Sequence, residues 1–196
     1  PSSSMNPTLI AGDRVVVNKL AYSLRVPFTL LEIVRWDAPK AGDVITFDSP
    51  ADGINLIKRV VAVEGDVVGM HDNQLTINGK LIDRKLVDAR RIIPSESGDL
   101  LAEVWRESLG QTQIDVARLP ALNRYTEFGP VQVPQGQMLV LGDSRDNSND
   151  SRFIGFIDTH RVTGRAVRVA MSHDPASMYL PRADRWWLAL NAGSKS

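Results

Sequence analysis

Short runs rich in valine and isoleucine, punctuated by Gly-Asp or Asn-Gly, recur along most of the chain: 13–17, 43–47, 56–63, 66–68, 75–77, 137–141 and 165–171. Most are five to eight residues long. β-Branched side chains are stiff at χ1 and suit a half-buried pleated surface, and runs this short between turn residues read as strands. An all-β fold follows. Asn78-Gly79, set between Leu75-Thr76-Ile77 and Lys80-Leu81-Ile82, has the two residue types that tolerate positive φ in a two-residue hairpin.

Residues 84–132 break the pattern and read as an inserted subdomain between a first core part, 1–83, and a second core part with a tail, 133–196. Within the insert Leu100, Leu101, Val104, Trp105 and Leu109 fit a helical face nearly as well as a strand pair, and periodicity alone leaves both open. The small polar tail 191–196 is expected to be disordered.

Charge and composition narrow the function classes. Lys+Arg and Asp+Glu number 23 each, with no block of one sign, so a nucleic-acid partner is not expected. Cysteine is absent, which removes disulfides, thiolate metal sites and cysteine nucleophiles. No stretch approaches the roughly 18 apolar residues of a spanning helix. The chain begins at Pro1 with a polar motif in its first nine residues, so an ordered segment is expected to precede it.

That motif, PSSSMNPTL, sets Ser2, Ser3 and Ser4 between two prolines that restrict their neighbours. A hydroxyl nucleophile needs a base. His71, His160 and His173 lack a distinctive acidic neighbour pattern and receive no role. Lys58 stands in the apolar run LIKRVVAV; period two puts it on one face with Leu56, Val60 and Ala62, and Arg59 on the other with Ile57 and Val61. Snorkelling to the sheet edge would leave it an ordinary cation, whereas burial would lower its pKa. A lysine at pKa about 10.4 is neutral in only roughly 0.4% of molecules at about pH 8. A fall of about two pH units would make more than roughly a quarter of them bases. The polar run GDSRDNSNDSR, 142–152, lacks the central glycine and final glutamate of a common calcium loop. It reads as a framework held by its own side-chain hydrogen bonds, and no metal or cofactor is expected.

Taken in order, PSSSMNPTL, AGDRVVV, APKAGDVITF, LIKRVVAVEGD, VLGDSRDNSNDSRFIGF and VTGRAVRV resemble the bacterial type I signal peptidases over about residues 1–83 and 133–172. The resemblance implies two coiled antiparallel β-sheets with a small β-rich insert, where Arg106-Glu107-Ser108-Leu109-Gly110 looks like a strand-to-turn segment and favours a hairpin. It implies a Ser/Lys dyad with Ser4 as nucleophile and Lys58 as general base. Ser2 and the backbone N–H of Ser4 would form the oxyanion hole, and Ser148 would orient the lysine. Arg59, Asp143, Arg145, Asp146, Asn147, Asp150 and Arg152 would brace the site, with Arg59 pairing Asp143 and Asp150 pairing Arg152. Met5, Leu9 and Ile57 would line shallow pockets for small residues, the A-x-A pattern before a signal-peptide cut, and Ser4 is expected in an exposed groove.

The implied substrates are signal-peptide-bearing preproteins. The implied setting is a membrane surface on the extracytoplasmic side of the inner membrane, anchored from upstream of Pro1, with Trp186 and Trp187 either at the lipid interface or in the core. Two positions depart from the family pattern: Ser144 stands where asparagine is common, and Asn6 where an apolar residue is frequent. A conjugation-linked pilin-processing peptidase would share the dyad. A silent membrane-tethered homologue would not be expected to keep Ser2, Ser4, Lys58 and Ser148 together.

Overall fold

A computed structural model describes residues 3–25, 32–95, 98–122, 126–175 and 177–190; Ser2 and the 191–196 tail lie outside them. The largest sheet has seven antiparallel strands. Its order is β1 (Asp13–Asn18), β15 (Val162–Asp174), β4 (Val44–Asp48), β5 (Asn55–Val63), β13 (Gln137–Leu141) and β14 (Ile157–Asp158), with β16 (Leu180–Pro181) also on β15. A second sheet runs β12 (Phe128–Gln132), β6 (Val67–His71), β7 (Gln74–Ile77) and β8 (Lys80–Leu81). A third is β11 (Thr112–Arg118), β10 (Gly98–Leu109) and β9 (Arg84–Ser95), and a ribbon joins β2 (Ser23–Arg25) to β3 (Glu32–Arg35). The only α-helix among the described residues is the single turn α1, Ser151–Ile154. None of the described helices is long and apolar enough to cross a membrane.

Local chemistry accounts for several of these elements. Asn78 and Gly79 both take positive φ, 52° and 75°, closing the β7–β8 hairpin with the twist that antiparallel strands favour. The 84–132 stretch supplies the third sheet and one strand, β12, to the second. Leu100, Leu101, Val104, Trp105 and Leu109 all lie on β10, so the helical alternative is removed. Its buried positions change from even, Ala102 and Val104, to odd, Glu107 and Leu109. The pairing with β9 shifts register at Val104. A bulge of this kind spoils the period-two signal, which is why the segment looked as helical as it did strand-like.

β5 is covered on both faces. Leu56 and Val60 pack with Ile45, Phe47, Met138 and Val140, while Ile57 packs with Met5, Leu9 and Val44 on the other side. Where β5 meets β13 the register slips between Val60 and Ala62. Ala62 therefore packs with Val61, in the cluster of Val68, Leu139 and Leu141, and not with Val60 as uninterrupted alternation would have it. That cluster also takes in Leu109, Ile114 and Val116 from the third sheet, so the insert shares its core with the rest of the protein. Leu109→Ala is accordingly expected to cost about 2–5 kcal/mol and to lower the denaturation midpoint of one cooperative transition. Separate unfolding of an insert and a core in urea would contradict the shared packing.

Candidate active site

The serine-rich segment is held from its apolar residues. Ser3–Met5 form a 3-10 turn, the Leu9 N–H donates to the Met5 carbonyl at 2.9 Å, and Met5 and Leu9 are fully buried with Val44, Ala166, Val169 and Leu190. Two expectations are corrected here. Ser4 is only 6% exposed, buried by this anchoring, and does not stand open in a groove. Met5 and Leu9 are core residues that present no open surface, and of the three residues assigned to a pocket only Ile57 is partly exposed.

Lys58 meets Ser4 from β5. Its Nζ lies 2.7 Å from Ser4 Oγ and donates to the Ile57 carbonyl at 3.1 Å. The side chain is 3% exposed, and its residue pairs across the ladder with the buried Ile45. Loss of solvation disfavours the ammonium and pulls the pKa down to about 8, against weaker upward pulls from Asp150 and Asp143. Those carboxylates are each claimed by an arginine. Arg59 Nε and Nη2 donate to Asp143 at 2.8 and 2.7 Å, and Arg152 Nε and Nη2 donate to Asp150, both at 2.8 Å. A serine hydroxyl beside an amine that is substantially neutral near pH 8 can give up its proton as it attacks a carbonyl.

The polar run 142–152 wraps this pair. Asp150 caps α1 and accepts from the Gly142 N–H at 3.0 Å. Arg152 also donates to the Arg145 carbonyl at 2.6 Å. Asn147 Nδ2 donates to Ser3 Oγ at 3.1 Å. Asp146 accepts from the Leu119 N–H at 2.8 Å, and Arg145 forms a buried two-pronged pair with Glu107 of β10. The Ser148 hydroxyl is buried and makes no hydrogen bond among the described residues, so no Ser148–Lys58 bond is present. Ser148 and the Ser4 backbone both crowd Gly142: a Cβ added there would lie 2.3 Å from Ser148 Oγ and 2.5 Å from the Ser4 carbonyl oxygen.

Several contributors escaped the sequence reading. The Ser144 N–H donates to the Ser4 carbonyl at 3.0 Å. Arg59 reaches the Gly42 carbonyl at 2.8 Å and Thr8 Oγ1 at 3.4 Å, tying the serine segment to β5. Backbone donors carry no side-chain signature, and Glu107 looked like any charged residue near a turn. His71 pairs at the surface with Glu127 at 2.9 Å, which raises its pKa. Among the described residues no three His, Cys, Asp or Glu side chains are grouped to hold a metal ion.

The scaffold is all-β and buries a serine against a lysine, and comparisons with known proteins show the family of the chain. The family described as "Signal peptidase, peptidase S26" matches residues 1–171. A signal peptidase I from Pseudomonas fluorescens is 36% identical, with 94% of this chain and 68% of that protein aligned. The Pseudomonas aeruginosa signal peptidase I is 35% identical over the same shares, and one from Aquifex aeolicus is 32% identical over 88% of this chain and 74% of that protein. A crystal structure of a signal peptidase I from Enterococcus faecalis matches 65% of this chain and 95% of that one, at 27% identity and a TM-score of 0.42. This chain belongs to the signal peptidase family, peptidase S26, a family of serine endopeptidases.

Gly142→Ala tests the close approach. A methyl group there would collide with the Ser4 backbone, and a displacement near 1 Å can cost on the order of 10²-fold in rate. Turnover per folded molecule, with folding checked by circular dichroism, is expected to fall by about that factor. A wild-type rate would show that Ser4 does not depend on this contact.

Proposed function

We propose that this chain removes N-terminal signal peptides from preproteins, with Ser4 as nucleophile and Lys58 as general base. The observation that carries the reading is the 2.7 Å approach of Lys58 Nζ to Ser4 Oγ in a setting that lowers the lysine pKa to about 8. Neutral Lys58 takes the Ser4 proton as Oγ attacks the scissile carbonyl, and returns it to the leaving amine. Water then hydrolyses the acyl-enzyme. Ser2 Oγ and the Ser4 N–H are the proposed oxyanion donors. Ser148, brought near by Gly142, is the proposed partner that orients the lysine once its side chain turns toward Nζ.

Specificity for small residues has a steric basis in this reading. Met5 and Leu9 are already packed into the core, and Ile57 is partly covered, which leaves little depth beside Ser4. Alanine fits such a surface, whereas leucine would force side chains and backbone to shift. The exposed Trp186, Trp187, Tyr179 and Leu180, at 45, 64, 69 and 62% exposure, support a lipid-facing surface, since tryptophan and tyrosine favour the membrane interface. The proposed setting is the extracytoplasmic face of the inner membrane.

Cleavage of a preprotein in detergent tests the assignment. Ser4→Ala and Lys58→Arg are both expected to abolish cleavage, the latter because a guanidinium stays protonated. The amine must be neutral to act, so the wild-type rate should rise with pH through about 8. Substantial turnover by Lys58→Arg, or a rising limb near the ordinary histidine pKa of about 6.5, would require another base. Replacing alanine immediately before the cut with leucine is expected to block processing. Equal cleavage of the leucine substrate would contradict the shallow site.

A further inference from the structure

We infer that Glu107, on the inserted sheet, is a positioning residue for the Ser4–Lys58 pair, acting through Arg145 and the backbone of Ser144; the inference rests on the Ser/Lys reading above.

Glu107 lies on β10 opposite Ile114 of β11. Its carboxylate receives Arg145 Nη1 at 3.0 Å and Nη2 at 2.5 Å, and both side chains are 2% exposed. Among the described residues Glu107 is the partner of the Arg145 guanidinium, whose Nε has no hydrogen bond there. A buried ion pair of this kind is a poor source of stability, because desolving two charges offsets most of their attraction; holding a particular arrangement is a better-supported use.

What is held here is the segment next to the nucleophile. The Ala117 N–H donates to the Asp143 carbonyl at 2.8 Å, the Arg145 N–H returns a bond to the Ala117 carbonyl at 2.9 Å, and Ser144 bridges Ala117 in parallel. Residues 143–145 thus run as an extra strand beside β11. In the middle of that strand the Ser144 N–H donates to the Ser4 carbonyl at 3.0 Å. Three consecutive residues therefore divide the work: Ser144 holds Ser4, Arg145 is locked to the insert by Glu107, and Asp146 caps the end of β11 at the Leu119 N–H. Releasing Arg145 frees the strand that fixes the Ser4 carbonyl, and the short Ser4–Lys58 contact is the geometry that suffers.

Loosening has a second readout. The charged groups that act on Lys58 among the described residues are Asp143 and Asp150, paired with Arg59 and Arg152; Arg145 and Glu107 form their own pair. If the strand shifts and water reaches the amine, its titration moves up toward the ordinary lysine value. Glu107→Gln alone also removes a negative charge, whereas Glu107→Leu combined with Arg145→Met removes one charge of each sign and reports geometry without a change in net charge.

The experiment measures kcat, KM and the pH dependence of kcat for preprotein cleavage by both variants, beside Lys58→Arg. In Glu107→Gln, kcat is expected to fall on the order of 10- to 100-fold with KM changed by about twofold or less. The double variant, in which apolar side chains replace a buried ion pair and tend to preserve folding, is expected to show the same loss, with its rising limb displaced to higher pH. A merely structural role would lower thermal stability and leave kcat per folded molecule and the pH limb where they were, and that result overturns the proposal. Should Glu107→Gln fail to fold, the double variant decides. Turnover in Lys58→Arg would defeat the Ser/Lys reading itself, whereas an inactive Lys58→Arg beside two variants with wild-type profiles would defeat the positioning role alone.

Discussion

Two adjacent cations enter the interior from β5 on opposite faces, and their unequal treatment organises the site. Arg59 meets the Asp143 carboxylate in a two-pronged pair and spends its remaining donors on Gly42 and Thr8. Lys58, equally buried, has a hydroxyl and a carbonyl as its hydrogen-bonding partners among the described residues. An arginine cannot shed its proton and must be paired. A lysine can lower its free energy by becoming neutral, and burial favours that form. The same strand therefore yields a fixed structural charge at one position and a titratable amine at the next.

The asymmetry holds only because nearby carboxylates are occupied. Asp143 and Asp150 pull the Lys58 pKa upward, but less strongly than desolvation pushes it down. Each lies in a close arginine pair, Arg59 on one and Arg152 on the other. A carboxylate near the amine without such a partner would favour the ammonium. The polar run 142–152 thus does two things at once: it pairs its buried carboxylates Asp143 and Asp150 with arginines, and it limits how far their negative charge stabilises the protonated lysine. Its Gly142 also lets the Ser4 backbone and Ser148 come closer than any side chain would allow.

Much of this was legible from residue order. The β-branched runs and turn pairs indicated strands, and Asn78-Gly79 marked a hairpin whose dihedral angles bear it out. The apolar flanks of Lys58 left burial and snorkelling both open, and the structure decides for burial at 3% exposure. Legibility failed where the pleat is interrupted. The bulge between Val60 and Ala62 moved Ala62 to the other cluster, and the register shift at Val104 blurred β10 into a possible helix. It failed again for Ser4: a polar, proline-flanked terminus reads as exposed, yet Met5 and Leu9 pull it into the core.

By itself the sequence determined the kinds of element and the chemical groups present: strands from side-chain shape and turn residues, an even balance of the two charges, a lysine in apolar company and a dense run of polar residues. These are local properties, carried by neighbours within a few positions. Only the tertiary structure decided that Lys58 and Ser4, 54 residues apart, meet at 2.7 Å, that Ser144 holds Ser4 through backbone atoms, and that Glu107 on the insert reaches Arg145. Such contacts depend on how separate sheets pack and on main-chain donors that every residue shares, so no pattern of side chains along the chain encodes them locally.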